Sequence, residues 1–470
     1  MRWTDALVGR GFARCLPRLG RTNDDEQNLI RTRETASMKI LIASTQALGH
    51  VNPMLSFGRI LKAHGHTVLV QTASVFKDVV EQSGLGFCPL LPGADIDLRD
   101  VDAVFPERKR IPPGPDLLRH DFENFFLSHL PHQYEGLREV MREWRPDAIL
   151  ADFCFFGTFP LLLSPRSARP PIVHCGISCL LMDRDDGAPI GLGLPPAGND
   201  AERREYAILR AKIDEAFVAP VQRQFDALLG RLGARALPTN FLDAAFRLPD
   251  LYLQPSVPGF EYPNHNMPAA LRFVGSLPTP RKQWPLPAWV RDVDGDRRVV
   301  LVTQGTTANH DLGQVIAPTL AALAEDDDLL VIATTGGRAV DALPGPLPSN
   351  ARIAEFLPYD WLMPKVDVVV TNGGYGTVEH ALMLGIPLVV AGLTEEKAEI
   401  AARVAWSGVG INLASNTPSR AALQSAIREV LDRPRYRERA RAISGEFASY
   451  DTESEVCRLV DEVVAARAEA

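Results

Sequence analysis

Several absences narrow the chemistry of this chain. No apolar run reaches the ~18 residues that cross a bilayer, so stable membrane insertion is not expected. Cysteine is scarce: there are six, and Cys175 and Cys179 form a C-x₃-C pair with no second pair to complete a zinc site. The thiols read as buried and free, as in a reducing cytoplasm, the expected location. Positive charge is in deficit, with 50 Lys and Arg against 58 Asp and Glu, which disfavours nucleic acid as a partner. No acidic cluster points to a metal. The turn after the first apolar strand, Ser44-Thr45-Gln46-Ala47-Leu48-Gly49-His50, contains no G-x-G-x-x-G, and no Walker-type lysine loop occurs. A dinucleotide oxidoreductase and a P-loop enzyme are therefore disfavoured.

At 470 residues the chain is too long for one core and suits two domains. Residues 1–37 carry seven arginines and five acids with no sustained periodicity, and read as a disordered extension, with Met38 as the natural start. From Met38 onward strand and helix patterns alternate. Strands are expected at 38–44, 67–72, 147–153 and 171–175. Asn52 is placed to cap a helix starting at Pro53 and ending at Gly65. A second series is expected at 299–303, 329–334, 352–354, 366–371 and 387–391. This pattern gives an α/β protein of two tandem Rossmann-like, doubly wound domains whose ligand crevices face one cleft. The expected division is an N-terminal domain at 38–253, a proline-rich linker at 254–297, a C-terminal domain at 298–446 and a final helical segment at 447–470.

The most informative stretch is 371–388, TNGGYGTVEHALMLGIPL. An apolar strand runs into a turn holding Gly373, Gly374 and Gly376, and then into a helical pattern. Small residues let backbone N–H groups approach an anion closely, at a helix end that favours negative charge. The stretch outlines a diphosphate site, although such turns also serve packing alone.

With that turn, an ordered set of short motifs resembles the family 1 glycosyltransferases, closest to their bacterial macrolide and natural-product branch. The set comprises Gly49-His50-Val51-Asn52-Pro53, Phe273-Val274-Gly275, Gln304-Gly305-Thr306, Phe356-Leu357-Pro358-Tyr359, the glycine turn and Glu396-Lys397. The resemblance covers nearly all of 38–465. It implies the GT-B fold, no cofactor and no metal, with a nucleotide diphosphate sugar as co-substrate and a small hydrophobic acceptor as the other partner. It further implies that His50 removes the acceptor's proton and that Asp152 orients the imidazole. Phe356 would stack on the base, with Leu357 reading its edge. Thr306, Gly374, Gly376 and Thr377 would touch the phosphates, and Glu396 and Lys397 the sugar hydroxyls. Phenylalanine-rich segments fall where this fold forms its acceptor pocket, which marks Phe125, Phe126 and Phe155.

Three positions depart from the family pattern. Asn372 stands where a histidine is usual and offers the diphosphate only a neutral hydrogen bond. His380 replaces the glutamate that holds the ribose, and Glu379 beside it points about 100° away on a helix. Lys397 replaces a glutamine. UDP-glucose is the first donor expected and a TDP-sugar the second, in a monomer or homodimer. A nucleotide-sugar 2-epimerase of the same architecture and a non-catalytic sugar-nucleotide-binding homologue are the alternative readings.

Overall fold

The computed structural model describes residues 37–112, 114–278, 285–306 and 309–468. Apart from Ser37, the expected N-terminal extension lies outside the described residues.

Among the described residues, thirteen strands form two sheets, each parallel throughout. The first contains β1 (Lys39–Ala43), β2 (Thr67–Thr72), β3 (Gly86–Pro89), β4 (Ala148–Asp152), β5 (Ile172–Cys175), β6 (Leu251–Gln254) and β7 (Leu271–Phe273), in the order β3-β2-β1-β4-β5-β6-β7. The second contains β8 (Arg298–Thr303), β9 (Leu329–Thr334), β10 (Ala351–Ala354), β11 (Val368–Thr371), β12 (Leu388–Val390) and β13 (Gly410–Asn412), in the order β10-β9-β8-β11-β12-β13. The central strands are apolar on both sides, as sheets covered by helices on each face require: Ile40, Leu41, Ile42 and Ala43 are all fully buried, as are Val368, Val369 and Val370.

Five helices matter for the site: α1 (Leu48–Ala63), α2 (Leu130–Glu143), α3 (Tyr375–Met383), α4 (Lys397–Trp406) and α5 (Thr452–Ala468). Helix α5 returns to the first sheet, where Val456, Cys457 and Val460 join a core that includes Ile42, Val51 and Leu61.

In both sheets the strand order reverses between the first strand and its fourth, β1 beside β4 and β8 beside β11. A reversal sends the two following chain segments to opposite faces and opens a crevice at the strands' carboxyl ends. Two such crevices position everything described below.

Two expectations need correction. Helix α1 begins at Leu48, not Pro53, and Ala47 is its cap residue. Pro53 therefore sits inside the helix and Asn52 caps nothing, because the backbone already turns where Val51 N–H reaches Ala47 O at 2.9 Å. Consequently Gly49 and His50 lie in the first helical turn. The proline-rich stretch from 254 is also not wholly linker. Residues 271–273 add a seventh strand to the first sheet, with Leu253 opposite Arg272. Prolines on either side obscured that short strand.

Candidate active site

The N-terminal crevice holds a histidine and a carboxylate placed by independent elements. Asp152 is the last residue of β4, fully buried, and His50 comes from the first turn of α1. His50 Nδ1 lies 2.9 Å from Asp152 Oδ1. The carboxylate is also fixed by its surroundings: Oδ2 accepts from the Thr45 N–H at 2.6 Å, and Oδ1 from the Thr45 hydroxyl at 3.0 Å and the Cys154 N–H at 3.1 Å. A carboxylate at Nδ1 keeps the proton there and leaves the Nε2 lone pair free. Thr45 was not singled out from sequence, since its role depends on β1 and β4 being neighbours.

The three acceptor phenylalanines separate. Phe126 ends the wide helical turn Phe122–Phe126, and its ring centroid is 5.8 Å from that of His50. Phe125 turns the other way, buried against Phe105 at 5.1 Å and under the Arg108 guanidinium at 5.8 Å. Phe155 is fully buried in the core beneath the first sheet, so its assignment to the acceptor wall is withdrawn. Sequence spacing in a run so rich in phenylalanine does not tell an inward ring from a cleft-facing one.

In the C-terminal crevice, β11 ends at Thr371 and Gly374 is the cap residue of α3, whose first helical residue is Tyr375. Gly373 has φ +89°, a left-handed conformation that a side chain would strain. The N–H groups of the first turn of α3, from Tyr375, Gly376 and Thr377, lie at this end. Thr306 is exposed at the carboxyl end of β8, the neighbouring strand.

Asn372 behaves differently from the phosphate contact expected of it. It is buried, and its Nδ2 donates to the Gln304 carbonyl at 3.0 Å, bracing the turn after β11 against the turn after β8. Phe356 exposes 37% of its surface beside Gly337, where a Cβ would stand 2.9 Å from the ring, and Leu357 is buried next to it. A ring this exposed is not packed as a core aromatic.

His380 is half-buried near the Tyr359 ring, at 6.1 Å between centroids, and burial lowers its pKa, favouring the neutral imidazole. Glu379 turns elsewhere and accepts from the Ser256 hydroxyl at 3.1 Å. Burial raises its carboxyl well above the usual range.

Glu396 is the cap residue of α4 and half-buried. Burial raises its carboxyl, opposed by its own backbone N–H and by the His50 imidazole within electrostatic reach. The fold thus brings a residue of the second crevice toward the histidine of the first. Lys397 is buried beside Glu395, which has φ 52°, and burial pulls its ammonium down to about 8, helped by Arg108.

Among the described residues two groups have metal-ligand spacing, His50/Asp152/Cys154 and His64/His66/Asp461. In the first, the carboxylate oxygens are already engaged, and burial raises the Cys154 thiol, which favours the neutral form rather than a thiolate ligand. In the second, His66 Nδ1 accepts the Met38 N–H at 3.3 Å, which puts the imidazole proton on Nε2, the nitrogen facing Asp461. Neither donor set fits a resident metal.

Two doubly wound domains with switch-point crevices at the ends of parallel sheets define the GT-B class of glycosyl-transferring folds. The calicheamicin glycosyltransferase structure superimposes with a TM-score of 0.66 at 21% identity, covering 92% of this chain and 99% of that one. The C-terminal domain model of erythromycin biosynthesis protein CIII-like proteins matches residues 317–463. Over 91% of its length the chain is 35% identical to 99% of 4'-demethylrebeccamycin synthase from Lentzea aerocolonigenes. It is also 35% identical, over 92% of its length, to 97% of UDP-glycosyltransferase 2 from Phaeomoniella chlamydospora. The chain belongs to the family 1 glycosyltransferases, in their natural-product branch, and is an enzyme of that class. No helix among the described residues is long and apolar enough to cross a membrane.

Proposed function

We propose that the enzyme moves a hexose from a nucleotide diphosphate sugar to a hydroxyl of a small lipophilic or aromatic acceptor, with inversion at the anomeric carbon. The observation that carries this reading is the His50–Asp152 pair at the mouth of the first switch point, 2.9 Å apart and fixed by Thr45. His50 Nε2 takes the acceptor's proton as its oxygen attacks, and Asp152 stabilises the imidazolium that forms. Phe126 flanks the acceptor. The donor occupies the second crevice: its base lies on Phe356 beside Leu357, and its diphosphate lies against Thr306, Gly374, Gly376 and Thr377. The N-terminal turn of α3 stabilises the charge that builds on the departing diphosphate. Glu396 and Lys397 hold the sugar. No step requires a metal.

UDP-glucose is the favoured donor and a TDP-sugar the second; the name of the Phaeomoniella relative supports UDP as the nucleotide. A thermal-shift panel of UDP, TDP, GDP and their glucose conjugates tests the donor site. A ligand at ~100 times its dissociation constant adds about 2.7 kcal/mol of stability. UDP and UDP-glucose are expected to raise the melting temperature selectively. A selective response to TDP replaces the donor, and no response to any nucleotide contradicts the reading.

A further inference from the structure

We propose that Glu399 is a positioning residue that ties the loop at 187–198, whose Ile190 packs on the same apolar cluster as the Phe126 that flanks His50, to the helix that begins with the donor-sugar pair. The inference rests on the proposed division of labour, with acceptor in the N-terminal crevice and donor in the C-terminal one.

Glu399 lies on α4, three residues beyond Glu396. Its Oε1 accepts two backbone N–H bonds from the other domain, Gly191 at 2.8 Å and Gly193 at 3.1 Å. Its Oε2 accepts from Arg403 Nη1 at 3.1 Å. Arg403 in turn reaches back across the domain boundary, donating from Nε to Glu261 at 2.7 Å and from Nη2 to the Leu180 carbonyl at 2.9 Å. All three charged side chains are buried, exposing 4% or less. A buried carboxylate is costly unless its oxygens are engaged. Here both are, one by the loop and one by the cation.

The loop has no regular structure, yet it is anchored at three places. Arg184 donates to the carbonyls of Leu194 at 2.6 Å and Pro195 at 2.9 Å, and Asp186 accepts the Ala188 and Ala197 N–H groups. Those anchors hold its ends within its own domain. Glu399 holds its middle on the partner domain. The Tyr262 ring lies between the two systems, 4.5 Å from the Arg184 guanidinium and 4.3 Å from that of Arg403. Contact at the middle is close: Gly193 has φ +61°, and a Cβ there would stand 2.5 Å from the Ala398 carbonyl oxygen. Any movement of α4 that brings Glu396 and Lys397 to the sugar therefore moves the loop that borders the acceptor. The acceptor site takes its working shape when the domains close on the donor.

Three variants of the full chain test the tie. Glu399→Ala removes the acceptor of both N–H groups. Gly193→Ala leaves the ion network whole but pushes the loop off α4. Glu399→Gln keeps an oxygen for the two N–H groups and loses the charge. Hydrogen exchange at Gly191 and Gly193, measured without substrates, is expected to speed up roughly a hundredfold or more in the two alanine variants, and less in the glutamine variant. Acceptor KM is expected to rise roughly tenfold, with nucleotide affinity within about threefold of the parent. Unchanged exchange in both alanine variants overturns the tie. Faster exchange with an unmoved acceptor KM overturns the positioning role. Exchange reads the tie whether or not any acceptor is glycosylated, so failure of the tie and failure of the transfer reading are seen separately.

Discussion

His50→Ala lowers turnover by roughly 10²–10⁴-fold, while nucleotide affinity stays within about threefold. The size follows from the role: without the imidazole, the acceptor hydroxyl must lose its proton to water as it attacks. The selectivity follows from the geometry. His50 sits in the first turn of α1 at the N-terminal crevice, whereas the proposed nucleotide contacts lie on strands and turns of the second sheet. Folding should be little affected, because Asp152 keeps its bonds from Thr45 N–H, the Thr45 hydroxyl and Cys154 N–H when the imidazole leaves. Steady-state rates with an alcohol acceptor, paired with calorimetric titration of the nucleotide, check both halves. Turnover near that of the parent would remove His50 as the base. An equal loss of rate and nucleotide affinity would mean instead that the residue supports the closed structure.

Arg403→Met is the substitution with the largest expected cost to stability. Methionine keeps much of the length of the arginine stem, so the loss is mainly electrostatic. The Glu261 and Glu399 carboxylates, each almost fully buried, would lose the cation that both of them face. Breaking such a pair by removing one partner costs about 3–5 kcal/mol, since the charges left behind stay desolvated. Thermal unfolding should begin roughly 5–10 °C lower. Exposed pairs provide the contrast. Arg458 with Glu455 and Glu462 lies on the surface of α5, and replacing Arg458 should barely move the transition. A melting temperature for Arg403→Met equal to that of the parent would show that the buried network contributes nothing to closure.

Much of this architecture was legible in residue order alone. The central strands announce themselves because both faces are buried, so Ile40, Leu41 and Ile42, like Val368, Val369 and Val370, read as continuous apolar runs. Of the edge strands, β10 could be read, at 352–354, but β3, β7 and β13 could not. Residues 86–89 and 410–412 are short, partly exposed and carry glycine, leaving little periodicity to detect. The start of α1 was misplaced because Pro53 is usually read as the first residue of a helix, whereas α1 opens at Leu48 and carries Pro53 in its second turn, without the N–H that would reach the Gly49 carbonyl.

The candidate site could be proposed from sequence where its motifs are local, as in the glycine turn before α3 or His50 after β1. It was unreadable where chemistry depends on which strands adjoin. Thr45 holds Asp152 across 107 positions of sequence, and Glu261 meets Arg403 across 142. Glu399 and Arg403 are four apart on a helix, which alone suggests an ordinary surface pair. Only the docking of the other domain buries them. Phe155 failed for the complementary reason: its neighbours Asp152 and Phe156 give no hint that its ring enters the sheet's core rather than the cleft.

The most direct test of the account is the anomeric configuration of the product, read from the proton coupling of the transferred sugar by NMR. With an α-linked UDP-glucose donor and a hydroxylated aromatic acceptor, a single in-line attack aided by His50 gives the β-glycoside with one nucleoside diphosphate released per glycoside formed. An α-glycoside, or nucleotide release without any glycoside, would contradict it.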